Sequence, residues 1–292
     1  MYILVFYCLL NGLYNYFEKG SSNQINKISG ALKFGIFKNL FSAFFACLMV
    51  IVSGCNFNYS IPLLGCALAF GFLIAIDLTN YLFLAKTGTI ALISVVQQAA
   101  SLILPTLAGI IFFNNSVKPI QWLFVSTLIL ASVMLCSFSK EIYDGFSAKS
   151  AIMLIIRFFA CGLGSISMQV FAKIGDGNTN LFLMSAYIFA SCFIFATLKI
   201  INIRERSKNE IFPKKLMIFG FISSGISCFL HAITVIASKS IDPLILFSFT
   251  SVGSILVNMS VGAIFYKEKP TPKSIAAIVI ACASVVMINY YK

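Results

Sequence analysis

Charge is scarce in this chain. Charged residues fill 10% of its 292 positions and only nine are acidic, whereas a soluble domain is about a quarter charged. Histidine and tryptophan each occur once. No polar stretch is long enough to fold as a soluble catalytic domain. Walker loops, HExxH, GxSxG and carboxylate pairs at catalytic spacing are all missing, so no enzyme is expected. No continuous polar stripe marks a channel. The nine cysteines include no CxxC and no histidine at ligand spacing, so neither a metal site nor a cofactor is expected. They read as small apolar residues, and only Cys55 and Cys66, near one short loop, are candidates for a disulfide.

What the chain does have is hydrocarbon: 60% of its residues are hydrophobic and mean hydropathy is +0.97. Crossing about 30 Å of lipid takes about 20 apolar residues. Ten such runs are legible, at 1–17, 33–53, 61–84, 88–113, 119–138, 151–171, 180–201, 215–237, 243–265 and 273–291. The predicted fold class is an all-α membrane protein of ten transmembrane helices. The first run has no basic region before it and no small-residue cleavage site after it, so it is read as a retained helix.

Sliding the chain by 153 positions lays Lys86 on Lys239, Gly109 on Gly262, Ile111 and Phe112 on Ile264 and Phe265, Pro119 on Pro272, and Val133 and Met134 on Val286 and Met287. One position more lays Phe17 on Phe171 and Lys19 on Lys173. The ends of the apolar runs coincide as well. Five runs per copy is an odd number, so the second copy enters the bilayer from the opposite face. The expected organisation is therefore a first five-helix repeat at 1–139, a connecting loop at 140–150 and a second repeat at 151–292, inverted in a single transmembrane domain. Inverted repeats are typical of secondary transporters, which hold substrate near the midplane between the halves.

The net charge of +12 is read as topology rather than as nucleic-acid binding. Odd-numbered loops hold most of the basic residues, including Lys19, Lys27 and Lys33, then Lys140 and Lys149, then Arg204, Arg206, Lys208, Lys214 and Lys215, then Lys267, Lys269 and Lys273. The positive-inside rule places these loops in the cytoplasm and both termini outside. The loop at 54–60 is uncharged while its repeat mate between runs 7 and 8 is the most basic in the chain, an opposition that suits inverted copies.

Several segments together resemble a known family: NYLFLAKT at 80–87 leading to Pro105, IASKS at 236–240, FYKEKPT at 265–271, and Asn11-Gly12 with Lys19 in the first run. The chain is similar over its whole length to the EamA-type ten-helix branch of the drug/metabolite transporter superfamily. That resemblance implies two inverted halves around a central cavity, and substrates as varied as amino acids, other metabolites, nucleotide sugars and cationic compounds. The family's acidic residue at the turn before the last helix matches Glu268, and its first-half counterpart is Asn115. Both termini would lie in the cytoplasm, against the charge count.

Ionisable residues inside a span are costly and default to functional candidates. Asp77 and His231 fall within one position of equivalence under the repeat, and are the expected proton-coupling pair. The alternative is local hydrogen bonding by Asp77 and simple packing by His231. Arg157 is read either as snorkelling to the headgroups or as a counter-charge for Asp77 or for a substrate carboxylate. Lys33 and Lys38 are read the same way, as snorkelling or as counter-charges. Gln97 and Gln98 lie opposite Thr250 and Ser251 under the offset, at matched depth, and suit hydrogen bonding to a polar solute. Asn11, Asn15 and Asn258 are weaker additions, and Tyr14, Tyr16 and Tyr81 are candidate cavity aromatics, a cage that would suit a cationic ammonium. Small-residue runs CGLGSIS at 161–167 and GFISSGIS at 220–227 predict close helix approach.

The expected substrate-binding set is thus Gln97, Gln98, Thr250, Ser251, Tyr14, Tyr81 and Arg157. The expected function is alternating-access transport of a small polar metabolite such as an amino acid, in the direction of export and coupled to protons. An accessory membrane subunit without transport, or a carrier of lipid-linked or nucleotide-sugar substrates, is the alternative. The expected partners are the small-molecule substrate and the lipid bilayer, with no nucleic acid, for a monomer or homodimer in a cell membrane. A composition rich in Ile, Asn, Lys and Phe fits a bacterial inner membrane.

Overall fold

The computed structural model describes residues 2–25, 27–54, 57–87, 90–113, 118–137, 148–174, 178–205, 213–267 and 272–291. All secondary structure among them is helical. The helices are α1 (Tyr2–Ser22), α2 (Ile28–Val52), α3 (Ile61–Thr87), α4 (Ile90–Phe113), α5 (Pro119–Ser137), α6 (Ala148–Ile174), α7 (Thr179–Glu205), α8 (Lys214–Ser240), α9 (Pro243–Tyr266) and α10 (Pro272–Tyr290). Proline opens α5, α9 and α10, where its missing N–H removes no hydrogen bond. The Asp242 side chain caps α9 by accepting from the Leu244 N–H at 2.9 Å. Lys267, left-handed at φ 54°, ends that helix by donating its N–H to the Gly262 carbonyl.

Seven of these helices, α2, α3, α4, α6, α7, α8 and α9, are long and apolar enough to cross a membrane. Large apolar side chains such as Ile51, Ile61, Ile111 and Phe112 point outward. In water that surface would be a severe liability, whereas in lipid it is ordinary.

Two boundaries differ from the sequence reading in ways that matter. Helix α1 runs through Glu18 and Lys19 to Ser22, and α2 begins at Ile28 rather than at 33. Glu18 therefore lies inside a helix, and Lys38 sits ten residues into α2, about 15 Å from its start at 1.5 Å per residue. Cys66 is a free thiol on α3. Its proposed disulfide partner Cys55, and the family-matched Glu268 and Asn115, lie outside the described residues.

The bundle has two ends that its packing defines. At one, Leu216 near the start of α8 packs with Ile25, Phe34 and Leu82, joining it to the start of α2 and the end of α3. This basic end also carries Lys19, Lys27, Lys214 and Lys215. At the opposite end the Asn180 side-chain amide, near the start of α7, donates to the Met49 carbonyl of α2 at 3.3 Å. The most extensive interface is α2 on α7. Others pair α3 with α6 and α7, α4 with α6 and α9, α5 with α10, α1 with α8 and α9, and α2 with α8.

Lipid offers no hydrophobic drive between helices, so close backbone approach and hydrogen bonds hold them together. Both small-residue runs serve this. A Cβ on Gly162 of α6 would stand 2.9 Å from the Ala100 carbonyl oxygen of α4. On α8, a Cβ on Gly220 would meet the Phe34 ring at 2.7 Å. Four residues on, the Ser224 hydroxyl donates to the Lys38 carbonyl at 2.9 Å and the Ser42 hydroxyl donates back to the Ser224 carbonyl at 3.2 Å. Gly71 on α3 faces the α7 backbone in the same way, against the Ala186 carbonyl oxygen and 3.0 Å from the Ala190 nitrogen.

Candidate functional site

A partly open cavity of about 1050 Å³, its mouth included, lies between α1, α2, α3, α4, α6, α8 and α9. Its wall mixes aromatic and aliphatic side chains with a few polar ones, the usual make-up of a small-molecule site. Pro105 lies in α4, and having no N–H it leaves the Ser101 carbonyl without its helical donor. Ser101 lines the cavity, and its hydroxyl accepts from that of Ser165 on α6 at 3.2 Å.

Two buried ion pairs stand beside this space. Arg157 of α6 meets Asp77 of α3, with Nη1 2.7 Å from Oδ1. The same Nη1 donates to the Asp77 main-chain carbonyl at 3.2 Å, and Nη2 donates to Gln97 Oε1 of α4 at 2.7 Å. The guanidinium lies 4.8 Å over the Tyr81 ring, and the Cys161 thiol donates to Asp77 Oδ1 at 2.9 Å. Arg157 is 1% exposed, so it does not snorkel but serves as the counter-charge for Asp77. In the second pair, Lys38 Nζ lies 2.8 Å from Glu18 Oε1 of α1, and it donates to the Tyr14 hydroxyl at 2.8 Å. Lys38 is 3% exposed and Glu18 0%. The expectation that Lys38 snorkels is therefore wrong. Its ammonium stays inside because Glu18, just past the run read at 1–17, supplies the opposite charge at the same depth.

Lys38, Asp77 and Arg157 each lie nine or ten residues from the basic end of their helices, about 15 Å deep. His231 lies nine residues from the opposite end, on α8. Its Nδ1 is 2.7 Å from the Tyr187 hydroxyl, and its ring meets the Phe70 ring edge-on at 5.1 Å. Phe70 also stacks on Phe182, which stacks on Phe171. The cavity thus touches a charged layer toward the basic end and an aromatic layer toward the other.

Asp77, His231, Gln97, Gln98, Thr250 and Tyr14 all line the cavity. Three other candidates stand behind the wall. Tyr81 is 2% exposed beneath Arg157, Arg157 itself is held by Asp77, and Ser251 donates its hydroxyl to the Gln98 carbonyl at 3.1 Å. The Thr250 hydroxyl bonds back to the Leu246 carbonyl of its own helix. Asn11, Asn15 and Asn258 form a closed polar triangle between α1 and α9, with side-chain hydrogen bonds of 3.0–3.1 Å. Glu18, Asn39, Cys161 and Tyr187 were missed. Glu18 alone had a signal, as the one acidic residue among the first 76 positions.

Fold and site together point to a multi-pass helical membrane protein with a polar, charge-bearing cavity enclosed by its central helices. No family model matches the chain, and no curated protein matches it. Among solved structures, one described only as a protein crystal structure is similar over 98% of this chain and 93% of its own, with a TM-score of 0.68 and 12% identity. That likeness speaks to the fold alone.

Proposed function

We propose that this chain is a secondary active transporter of a small polar metabolite, such as an amino acid or a related compound. It is an EamA-type member of the drug/metabolite transporter superfamily, its ten helices all cross the membrane, and two inverted five-helix halves alternate access to the cavity. The observation that carries this reading is the helix pairing. Exchanging each helix with the one five places along turns α1–α8 into α6–α3, α1–α9 into α6–α4, and α2–α8 into α7–α3, and maps α2–α7, α4–α9 and α5–α10 onto themselves. A pseudo-two-fold relation between halves produces that pattern. Ser251 touching Gln98, its own mate at 153 residues, supports an axis passing between α4 and α9.

Asp77 and His231, repeat mates within one position, line the same cavity from layers near its two ends. They are the proton-coupling candidates, Asp77 facing Arg157 and Cys161 and His231 facing Tyr187. Asn at position 77 cannot exchange a proton. Asp77→Asn is therefore expected to abolish pH-driven uptake of a radiolabelled amino-acid mixture into proteoliposomes. Unchanged pH dependence would remove Asp77 from the coupling mechanism.

A further inference from the structure

The four buried charges do not face the cavity equally. Arg157, Lys38 and Glu18 expose 1%, 3% and 0% of their side chains, but Asp77 exposes 26%. Arg157 Nη1 and the Cys161 thiol both converge on Asp77 Oδ1. No hydrogen bond reaches Oδ2 among the described residues, and Asp77 lines the cavity. The most exposed of these charges is therefore negative; Lys38 also borders the cavity, but its ammonium is held by Glu18 and the Tyr14 hydroxyl. Elsewhere the cavity wall carries the rings of Tyr7, Phe70 and Phe247, apolar surface for the body of a solute, while the Tyr14 ring already lies under Lys38 Nζ at 4.5 Å. On α2, Asn39 also lines the cavity, and its side-chain Nδ2 is buried without an acceptor among the described residues.

We propose that the cavity selects a protonated amine, held by a charge-assisted hydrogen bond to Asp77 Oδ2, with its apolar body reaching toward the rings that line the rest of the cavity. Asn39 Nδ2 supplies a donor for an oxygen on the same solute. The assignment deepens the carrier reading, on which it rests for its physiological meaning, but binding can be read without transport. It also reverses the expectation that Arg157 recognises a substrate carboxylate. The guanidinium instead holds the Asp77 side chain in place, so that one carboxylate oxygen stays committed while the other is offered to solute.

The test uses three solutes of one shape, 2-phenylethylamine, 2-phenylethanol and 3-phenylpropionate, bound by purified protein in detergent and followed by calorimetry. The amine is expected to bind at least ten-fold more tightly than the alcohol, and the anion least tightly. A hydrogen bond to a charged group contributes about 1.5–3 kcal/mol, so Asp77→Asn should weaken the amine about 10–100-fold and leave the alcohol unchanged. Because Asp77→Asn strands Arg157, Asp77→Asn with Arg157→Gln is measured alongside, and should show the same selective loss with a monodisperse elution profile. Asp77→Glu should retain preference for the amine. Tighter binding of the anion, equal losses for amine and alcohol, or no binding of any of the three overturns the assignment. Amine binding without any solute exchange in proteoliposomes would keep the site and overturn the carrier reading instead.

Discussion

Replacing Lys38 with methionine is expected to destabilise the protein by about 3–5 kcal/mol, the cost of stranding one partner of a buried ion pair. Glu18 has no exposed surface and, among the described residues, only Lys38 as counter-ion, at 2.8 Å. Its second oxygen, Oε2, has no hydrogen-bond partner among the described residues. Methionine fills nearly the same volume as lysine, so little of the loss can be charged to packing. The companion change separates charge from shape. Glu18→Met together with Lys38→Met removes both ions, and replacing a buried pair by apolar residues is often neutral. The double variant should recover all but about 1 kcal/mol, the worth of the hydrogen bond from Lys38 to Tyr14. Reversible unfolding in mixed micelles measures both. Equal losses in single and double variants would mean that Lys38 acts through packing alone.

Gly71→Leu is expected to cost about 3 kcal/mol or more, at the upper end of overpacking penalties. Any side chain there meets the Ala186 carbonyl oxygen, the Ala190 nitrogen at 3.0 Å and the Phe189 Cβ at 2.9 Å. Two of these are backbone atoms of α7, which cannot rotate aside. Helix α3 would have to move off α7, and Asp77 lies six residues further along it. Gly65 on the same helix is the control, because a Cβ there has nothing within 4 Å. Gly65→Leu should stay within about 0.5 kcal/mol of the parent, as surface substitutions do. The same micelle unfolding reads both. A similar cost at positions 65 and 71 would mean that helix propensity, not the contact with α7, sets the penalty.

Most helix limits were legible because their causes are local. Apolar runs of spanning length end where proline, charge or polar clusters begin, and Pro119, Pro243 and Pro272 sit at the first turn of the helices expected there. The two limits that were wrong share one non-local cause. Glu18 and Lys19 looked like the end of a run and Lys33 and Lys38 like the edge of another, because a charge read alone belongs outside a span. Paired across helices, Glu18 and Lys38 neutralise each other and both segments stay helical inside the bundle. Nothing in the spacing of 18 and 38 signals that pairing.

The site was legible in kind more than in arrangement. Asp77, His231, Gln97 and Gln98 reach the cavity because an ionisable or amide group inside a span is costly anywhere else. Which of the candidate side chains line the cavity and which stand behind its wall was not readable. Arg157 and Tyr81 carry the right chemistry but stack on each other behind Asp77, and Ser251 turns to a main-chain carbonyl. These outcomes depend on helix rotation, set by contacts such as Gly162 on Ala100 and Ser224 on Lys38, which no single run encodes.

Counterflow tests the carrier reading most directly. Purified protein is reconstituted into proteoliposomes preloaded with unlabelled 2-phenylethylamine or with an unlabelled amino-acid mixture, and entry of the matching labelled solute is followed. Preloading should accelerate entry several-fold over vesicles loaded with buffer, and Asp77→Asn should remove the acceleration. Entry that is indifferent to preloading for every solute tried would contradict a carrier.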